Sequence, residues 1–549
     1  MNTASSYPTR VVNSALWSAY GDALGFITEL RDNQRAVSAR IGTDRVDRTV
    51  PWKRRVGGKF GVEAALPSGC YSDDSQLRLA TGRAIRPDSS FNVEAFAKME
   101  LPVWTSYALG AGRGTKAAAT MLAHEGVNWF SNFYETDLSK YFHSGGNGAA
   151  MRIQPHIWAA RGGATFQQLV GPVVRNAVST HGHARGIVGA VFHAMCLEYA
   201  RGPGTIPNVD SWRAIIDALG ELGKVVEEDA DLKAFWLPVW EQRSGTTFRG
   251  ACIAVQTELL HDVQSLAQLP RTRSKEDTYR LAVQSLGGLK EQERGSSTKT
   301  ALLAAFLADL YHEDGPMQAV ICAANCLGSD TDTIATMAGA IMGLAGGEGP
   351  PGELMDKFYI AGQAERLARI SLEQPTEQTH YPNLLHWKPP RTQQESVVLG
   401  DKGLEVLVLG KVAVEQQKFE VRANDPILWQ WLQLESGQTI LAKRRRRPPH
   451  MNNYQLPFVP IPPVDQVVGN REANQTQLSL PPVPSTKRDF SRVPSVDDLT
   501  KQAIRAQFDP KMIGEHLLLL SSCSDGIERA VAYAAIIAKA RLARGAHNT

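Results

Sequence analysis

Residues 328–343 read GSDTDTIATMAGAIMG, a turn of hydroxyl and carboxylate side chains followed at once by an uncharged, apolar segment. Ser, Thr and Asp favour helix starts because their oxygens accept from unpaired amides and their charge suits the positive end of the helix dipole. A helix apolar on every side belongs in a core. The same pattern occurs at YSDDSQLRLATGRAIR, residues 71–86, where Ser72, Asp73, Asp74 and Ser75 open a second helical stretch. Working outward, Val11 to about Arg369 reads as helix after helix, with apolar residues at three- and four-residue spacing in 164–179, 186–200, 210–228, 298–311 and 316–326. Strand-like alternation is almost absent, so the predicted fold is an all-α domain over residues 10–372. Residues 31–70, basic and Gly-rich around Arg54, Arg55, Gly57, Gly58 and Gly61, read as a long loop between helices.

Beyond residue 372 the character changes. Residues 373–549 read as a mixed C-terminal extension: short strands within 404–442, a basic and Pro-rich linker over 443–494, and a helical end at 496–544. The net charge of +3 over 549 residues is too small to argue for nucleic acid or a membrane surface. The surplus is concentrated after residue 375, and Lys443-Arg444-Arg445-Arg446-Arg447 offers a nucleic-acid or acidic-partner site, although no aromatics interleave to stack bases. Six sparse cysteines (Cys70, Cys196, Cys252, Cys322, Cys326 and Cys523) read as free thiols in a reducing compartment. With no leader-like start and no run of about 18 apolar residues, the expected location is cytoplasmic.

The two acidic turns hold more than capping requires. One side chain caps a helix, whereas Asp73, Asp74, Asp330 and Asp332 are joined by Ser72, Ser75 and Thr333. Converging carboxylates raise one another's pKa unless a cation neutralises them. Hard oxygen donors suit Mg²⁺, Mn²⁺ or Ca²⁺ rather than zinc. Asp330 and Asp332 at i and i+2 can reach two adjacent ions, so a binuclear site that orients substrate and polarises water is consistent with the spacing. Gly21-Asp22-Ala23-Leu24-Gly25 with Glu29 adds further carboxylates. The loop Ser144-Gly145-Gly146-Asn147-Gly148 can turn backbone amides toward phosphates. In Thr180-His181-Gly182-His183 the two imidazoles make a poor zinc site but can stack on, or hydrogen-bond to, a ribose or base.

In order along the chain, GDALGFITE (21–29), YSDDSQ (71–76), SGGNGAAMR (144–152), THGH (180–183) and GSDTDTIATMAGAIMG (328–343) resemble the ADP-ribosylglycohydrolase family. The resemblance implies an all-α domain with two Mg²⁺ ions, or Mn²⁺, in a cleft that takes an ADP-ribosylated protein and releases ADP-ribose. It implies Ser72, Asp73, Asp74, Asp330, Asp332 and Thr333 as metal ligands, with Glu29, Asp74 and Asp330 as candidate catalytic groups. It also implies Gly145, Gly146, Asn147, Gly148, His181 and His183 as substrate contacts, and arginine as the favoured acceptor. The alternatives are a catalytically inactive ADP-ribose-binding or structural member, and a protein acting through its basic tail.

Overall fold

The computed structural model describes residues 6–202, 204–270, 274–384, 386–452, 455–456, 494–521 and 526–545. Its residues divide into two compact units, Met1–Val459 and Pro460–Thr549. The strand-bearing part of the extension therefore lies in one unit with the helices, while the helical end belongs to the other.

The larger unit is organised by two helices, α1 (Tyr7–Thr28) and one that opens at the second acidic turn. Between them the chain forms α2 (Gln34–Ile41), α3 (Asp73–Arg83), α4 (Arg113–Leu122), α5 (Phe166–Val178), α6 (Ala184–Arg201), α7 (Phe248–Ala267), α8 (Ser297–Leu310) and α9 (Pro316–Asn325), with further helices between. The helix of the second acidic turn is α10 (Thr331–Ala345), and α11 (Lys357–Ser371) completes the set. Helix α10 is buried from Thr331 to Leu344, as its all-round apolar sequence requires. It lies against α1 through small residues on both sides. A Cβ on Gly21 would stand 2.5 Å from the Ala335 carbonyl oxygen, and one on Gly25 only 2.4 Å from Asp332 Cα. In return, Gly339 abuts the Trp17 carbonyl and Gly343 that of Asn13. The backbones touch, so the acidic turn at 330–333 is fixed against residues 21–29.

Gly25→Ala is accordingly expected to lower stability by about 3 kcal/mol or more through backbone overpacking. Gly162→Ala, where nothing lies within 4 Å of the added Cβ, should change it by less than about 1 kcal/mol. Urea midpoints of the two variants check this, and equal midpoints would count against the close crossing.

The reading of 31–70 as a plain loop is corrected by the structure. This segment contains α2 and an antiparallel hairpin, β1 (Trp52–Val56) with β2 (Val62–Leu66), in which Trp52 pairs with Leu66 and Val56 with Val62. The alternation is present, since Trp52 and Val56 are buried, as are Val62, Ala64 and Leu66. It is disguised by three consecutive basic residues, and the turn is made by Gly57 and Gly58 at positive φ.

After α11, five antiparallel strands run in sequence order: β3 (Val397–Gly400), β4 (Gly403–Val406), β5 (Gly410–Phe419), β6 (Ile427–Leu434) and β7 (Thr439–Arg445). Strand β6, ILWQWLQL, falls within the expected strand region, and buried from Leu428 to Leu432 it reads as a continuous run rather than an alternation. Lys443, Arg444 and Arg445 end β7 instead of beginning a linker. Arg444 is buried and donates to Gln430 Oε1 at 2.5 and 2.7 Å, while Arg445 pairs with Glu395 and Arg446 with Glu420. Of the expected linker, residues 457–493 lie outside the described residues, as does Cys523; the other five cysteines are free and buried.

The second unit contains α12 (Val496–Arg505), α13 (Pro510–Ser521) and α14 (Gly526–Gly545). Its small core comprises Leu499, Ala503, Leu520, Tyr533 and Ile537. No helix among the described residues is long and apolar enough to cross a membrane.

Candidate active site

Asp22, in the middle of α1, organises the first acidic turn. Its Oδ1 accepts from the Ser72 amide and its Oδ2 from the Ser75 amide, each at 2.9 Å. The carboxylate thereby satisfies orphan donors at the start of α3, a capping task taken over from a distant helix. Ser72 is the N-cap, its Oγ accepting from the Asp74 amide at 3.2 Å, and the Asp73 amide donates to the Leu109 carbonyl at 2.7 Å. With these amides satisfied elsewhere, the Asp73 and Asp74 side chains are not consumed in capping. Asp74 Oδ2 is buried without a hydrogen-bond partner.

The second turn meets the first. Thr333 Oγ1 lies 3.4 Å from Asp74 Oδ1, and the charges of Asp330 and Asp332 bear on the same neighbourhood. Burial comes first, and repulsion by neighbouring carboxylates second, in holding Asp73, Asp74 and Asp332 well above the ordinary carboxylate range. For Asp74 the repelling neighbours are Asp22, Asp73 and Asp330; for Asp73 and Asp332 the first is Glu29. Burial likewise raises Asp22. Cations that bear on these six acids include Arg78, which bonds Ser75 Oγ at 2.7 Å, Lys116 on α4, Arg54 on β1, Arg152 toward Asp73 and Arg40 toward Glu29.

The glycine loop joins the cluster through Asn147, whose Nδ2 donates to Asp330 Oδ2 at 2.7 Å and to Thr300 Oγ1 at 3.2 Å. Its backbone is tied to the segment before α8, with the Asn147 amide donating to the Gly295 carbonyl and the Ser297 amide to that of Gly145. A Cβ on Gly148 would stand 2.6 Å from Thr115 Oγ1 and 3.0 Å from the His181 ring. His181 is buried behind the loop, its Nδ1 at 2.7 Å from Thr180 Oγ1. His183 caps α6 by accepting from the Arg185 amide and flanks Gly145. Buried Arg152 bonds the Gly148 carbonyl, Asn176 Oδ1 and Thr180 Oγ1 together. Glu29, the C-cap of α1, has its carboxylate 2.7 Å from an Arg54 guanidinium nitrogen.

The two acidic turns, Glu29, the glycine loop and the histidine pair are thus brought into one connected network. Sequence reasoning missed Arg78, Lys116, Thr300 and the contacts made by Asp22, Arg54 and Arg152. Asp22 was visible only as an extra acid, and Arg152 only as the end of a glycine motif. The donor set that could hold a hard cation is all oxygen: Ser72, Asp73, Asp74, Asp330, Asp332 and Thr333. Among the described residues no three Asp, Glu, His or Cys side chains are already gathered as a metal-binding group. Asp332 Oδ1 is engaged by the Thr333 amide at 2.9 Å and Asp330 Oδ2 by Asn147, which holds carboxylates apart. The excess of acids over facing cations and the orphaned Asp74 Oδ2 nevertheless fit a divalent cation. A cavity of about 940 Å³ is lined by residues such as Ser68, Leu354, Tyr359 and Gln433, and includes none of these groups.

The chain is 27% identical over 350 residues to an Escherichia coli (strain K12) protein named Uncharacterized protein YegU, spanning 61% of this chain and 86% of that relative. A solved structure described as an ADP-ribosylglycohydrolase-related protein complex aligns with a TM-score of 0.39 and 20% identity, over 66% of this chain and 99% of its own. A family model for ADP-ribosylglycohydrolase matches residues 3–380, from α1 past α11, and so takes in both acidic turns, the glycine loop and the histidine pair. With that match spanning well over half its length, the chain belongs to the ADP-ribosylglycohydrolase family, which implies a glycohydrolase with an ADP-ribosylated substrate and ADP-ribose as product.

Proposed function

We propose that this protein is a Mg²⁺-dependent hydrolase that removes ADP-ribose from a modified protein side chain, arginine being the favoured acceptor, at a binuclear site. The observation that carries this reading is the meeting of the two acidic turns, with Asn147 linking Asp330 to the glycine loop. Ser72, Asp73, Asp74, Asp330, Asp332 and Thr333 would hold the ions, with Mn²⁺ able to replace Mg²⁺. Bound there, the ions would neutralise the cluster, orient ribose hydroxyls and lower the pKa of water.

The remaining work falls to the chain itself. The amides of Gly145 and Asn147 are already given to the His143 and Gly295 carbonyls, so backbone contacts to the diphosphate fall to Gly146 and Gly148. His181, kept neutral by burial, holds the loop from behind, and His183 flanks Gly145. Cleavage at the anomeric carbon develops positive charge on the ribose, which an acidic cluster favours. Glu29, Asp74 and Asp330 are the candidate carboxylates to accept a proton from the attacking water. The described thiols, all free and buried, agree with a cytoplasmic location. Ion pairing and burial within Arg444–Arg446 count against a nucleic-acid role for the basic run.

A panel of arginine-, serine- and nucleic-acid-linked ADP-ribose substrates, assayed with Mg²⁺ and with EDTA, tests the proposal. Release from the arginine conjugate alone, lost in EDTA and restored by Mg²⁺ or Mn²⁺, is the expected result. Release unaffected by EDTA removes the metal reading. No release from any substrate, with ADP-ribose still bound, identifies an inactive binding member.

A further inference from the structure

Glu29 contributes to the potential at both acidic turns, yet its carboxylate is engaged by neither. Its charge bears on Asp73 and on Asp332, while its Oε2 is 2.7 Å from Arg54. Both side chains are shielded, with 17% of Arg54 and 16% of Glu29 exposed. The guanidinium lies 4.4 Å above the Phe26 ring, and Phe26 packs edge-on to Trp52 at 5.2 Å. Arg54 is therefore held at a fixed place by α1 and its own strand.

That strand is braced from the other side. The Trp431 indole of β6 donates to the Ala65 carbonyl of β2 at 3.0 Å, and Gly57 sits so close to the Trp429 indole that an added Cβ would be 3.1 Å from it. The adjacent strand β7 reaches the segment that receives the Asp73 amide. The Lys443 amide of β7 donates to the Ser106 carbonyl at 2.8 Å, and three residues on, the Leu109 carbonyl receives the Asp73 amide.

We infer that Arg54 is a positioning residue that restrains the Glu29 carboxylate beside the acidic cluster, and that the β3–β7 sheet fixes it there by bracing the β1–β2 hairpin. The inference rests on the proposed metal-dependent reading of the site. Held by Arg54, Glu29 is prevented from turning inward to become one more ligand, and its lone pair stays available at the edge of the site. Released, it adds an unrestrained negative charge to a cluster already short of cations.

The test is a double-substitution cycle on the full-length protein, read by Mn²⁺ titration with electron paramagnetic resonance and, separately, by turnover. Arg54→Met keeps the aliphatic stem and removes the charge. It should tighten Mn²⁺ binding roughly three- to tenfold, the effect of one partly screened charge at this range, while lowering kcat with little change in KM. Arg54→Lys should restore much of kcat and return the Mn²⁺ affinity toward the parent value. In the Glu29→Gln background, Arg54→Met should leave the affinity less altered, because the released carboxylate is gone. Trp429→Ala, which loosens the brace without touching either partner, should move affinity and kcat in the same directions by smaller factors. Weaker Mn²⁺ binding in Arg54→Met, or the same change with and without Glu29, would overturn the inference while leaving the proposed function in place. Absence of Mn²⁺ binding by the parent protein would remove both.

Discussion

Asp74→Asn is expected to lower Mg²⁺-dependent release of ADP-ribose by about a thousandfold or more, the scale seen when a group central to charge stabilisation is removed. The same substitution should raise the thermal midpoint of the protein in EDTA. Asp74 is buried with one oxygen unpartnered, and its charge is opposed by Asp22, Asp73 and Asp330. An amide of the same shape avoids that repulsion, so stability should rise by about 1–3 kcal/mol. With saturating Mg²⁺ the order should reverse, since only the parent would gain binding energy from the ion. Scanning calorimetry with and without Mg²⁺, beside the activity assay, checks both halves. A variant both inactive and less stable in EDTA would show that Asp74 is a structural acid, not one strained in favour of function. Asp330→Asn should lose activity comparably, but its Oδ2 already accepts from Asn147, so the stabilisation in EDTA should be smaller.

This opposition between stability and chemistry explains why parts of the site were readable in the sequence. Carboxylates and hydroxyls crowded at two helix starts exceed what capping can use, and that excess is visible at Asp73, Asp74, Asp330 and Asp332 without coordinates. The close crossing that unites the turns is also written locally, in Gly21 and Gly25 and again in Gly339 and Gly343, once the partner helix is known. What could not be read is pairing across long separations. Nothing near Asp22 says that its oxygens will receive the amides of Ser72 and Ser75, and nothing near Arg54 names Glu29. The hairpin was hidden because Lys53, Arg54 and Arg55 interrupt the apolar alternation with charge, one of them for the sake of the site. The basic run at 443–447 misled for the converse reason. Arg444 reads as the start of a linker until Gln430, on the neighbouring strand, supplies its partner.

Acidification provides the largest stability effect expected of the molecule, and it arises from histidines. His156, His181 and His193 are fully enclosed, and burial, aided by Arg152 for the first two and by Arg78 for the third, pushes each down to about 3. They stay neutral in the folded chain while the unfolded chain takes up protons below about pH 6.5. Their contribution is therefore complete above pH 6.5 and is lost as pH falls toward 3. At pH 5 the loss amounts to about 2 kcal/mol for each, or about 6 kcal/mol for the three. The buried carboxylates act in the opposite sense: with folded values raised, Asp73, Asp74 and Asp332 gain protons on folding, and that gain is lost as pH rises through those values. Total stability thus mixes two opposed slopes, and a difference between variants separates them. His193 has Nε2 against Gln154 and Nδ1 unpartnered, so His193→Met removes one titrating group without removing any of the acids. Urea unfolding from pH 7 to pH 5 should show the parent losing about 2 kcal/mol more than His193→Met, whatever the absolute slope of either. Parallel profiles would mean that His193 accepts a proton inside the fold. In that case the Gln154 amide would have to rotate its oxygen toward the imidazolium, because its nitrogen cannot accept the new proton.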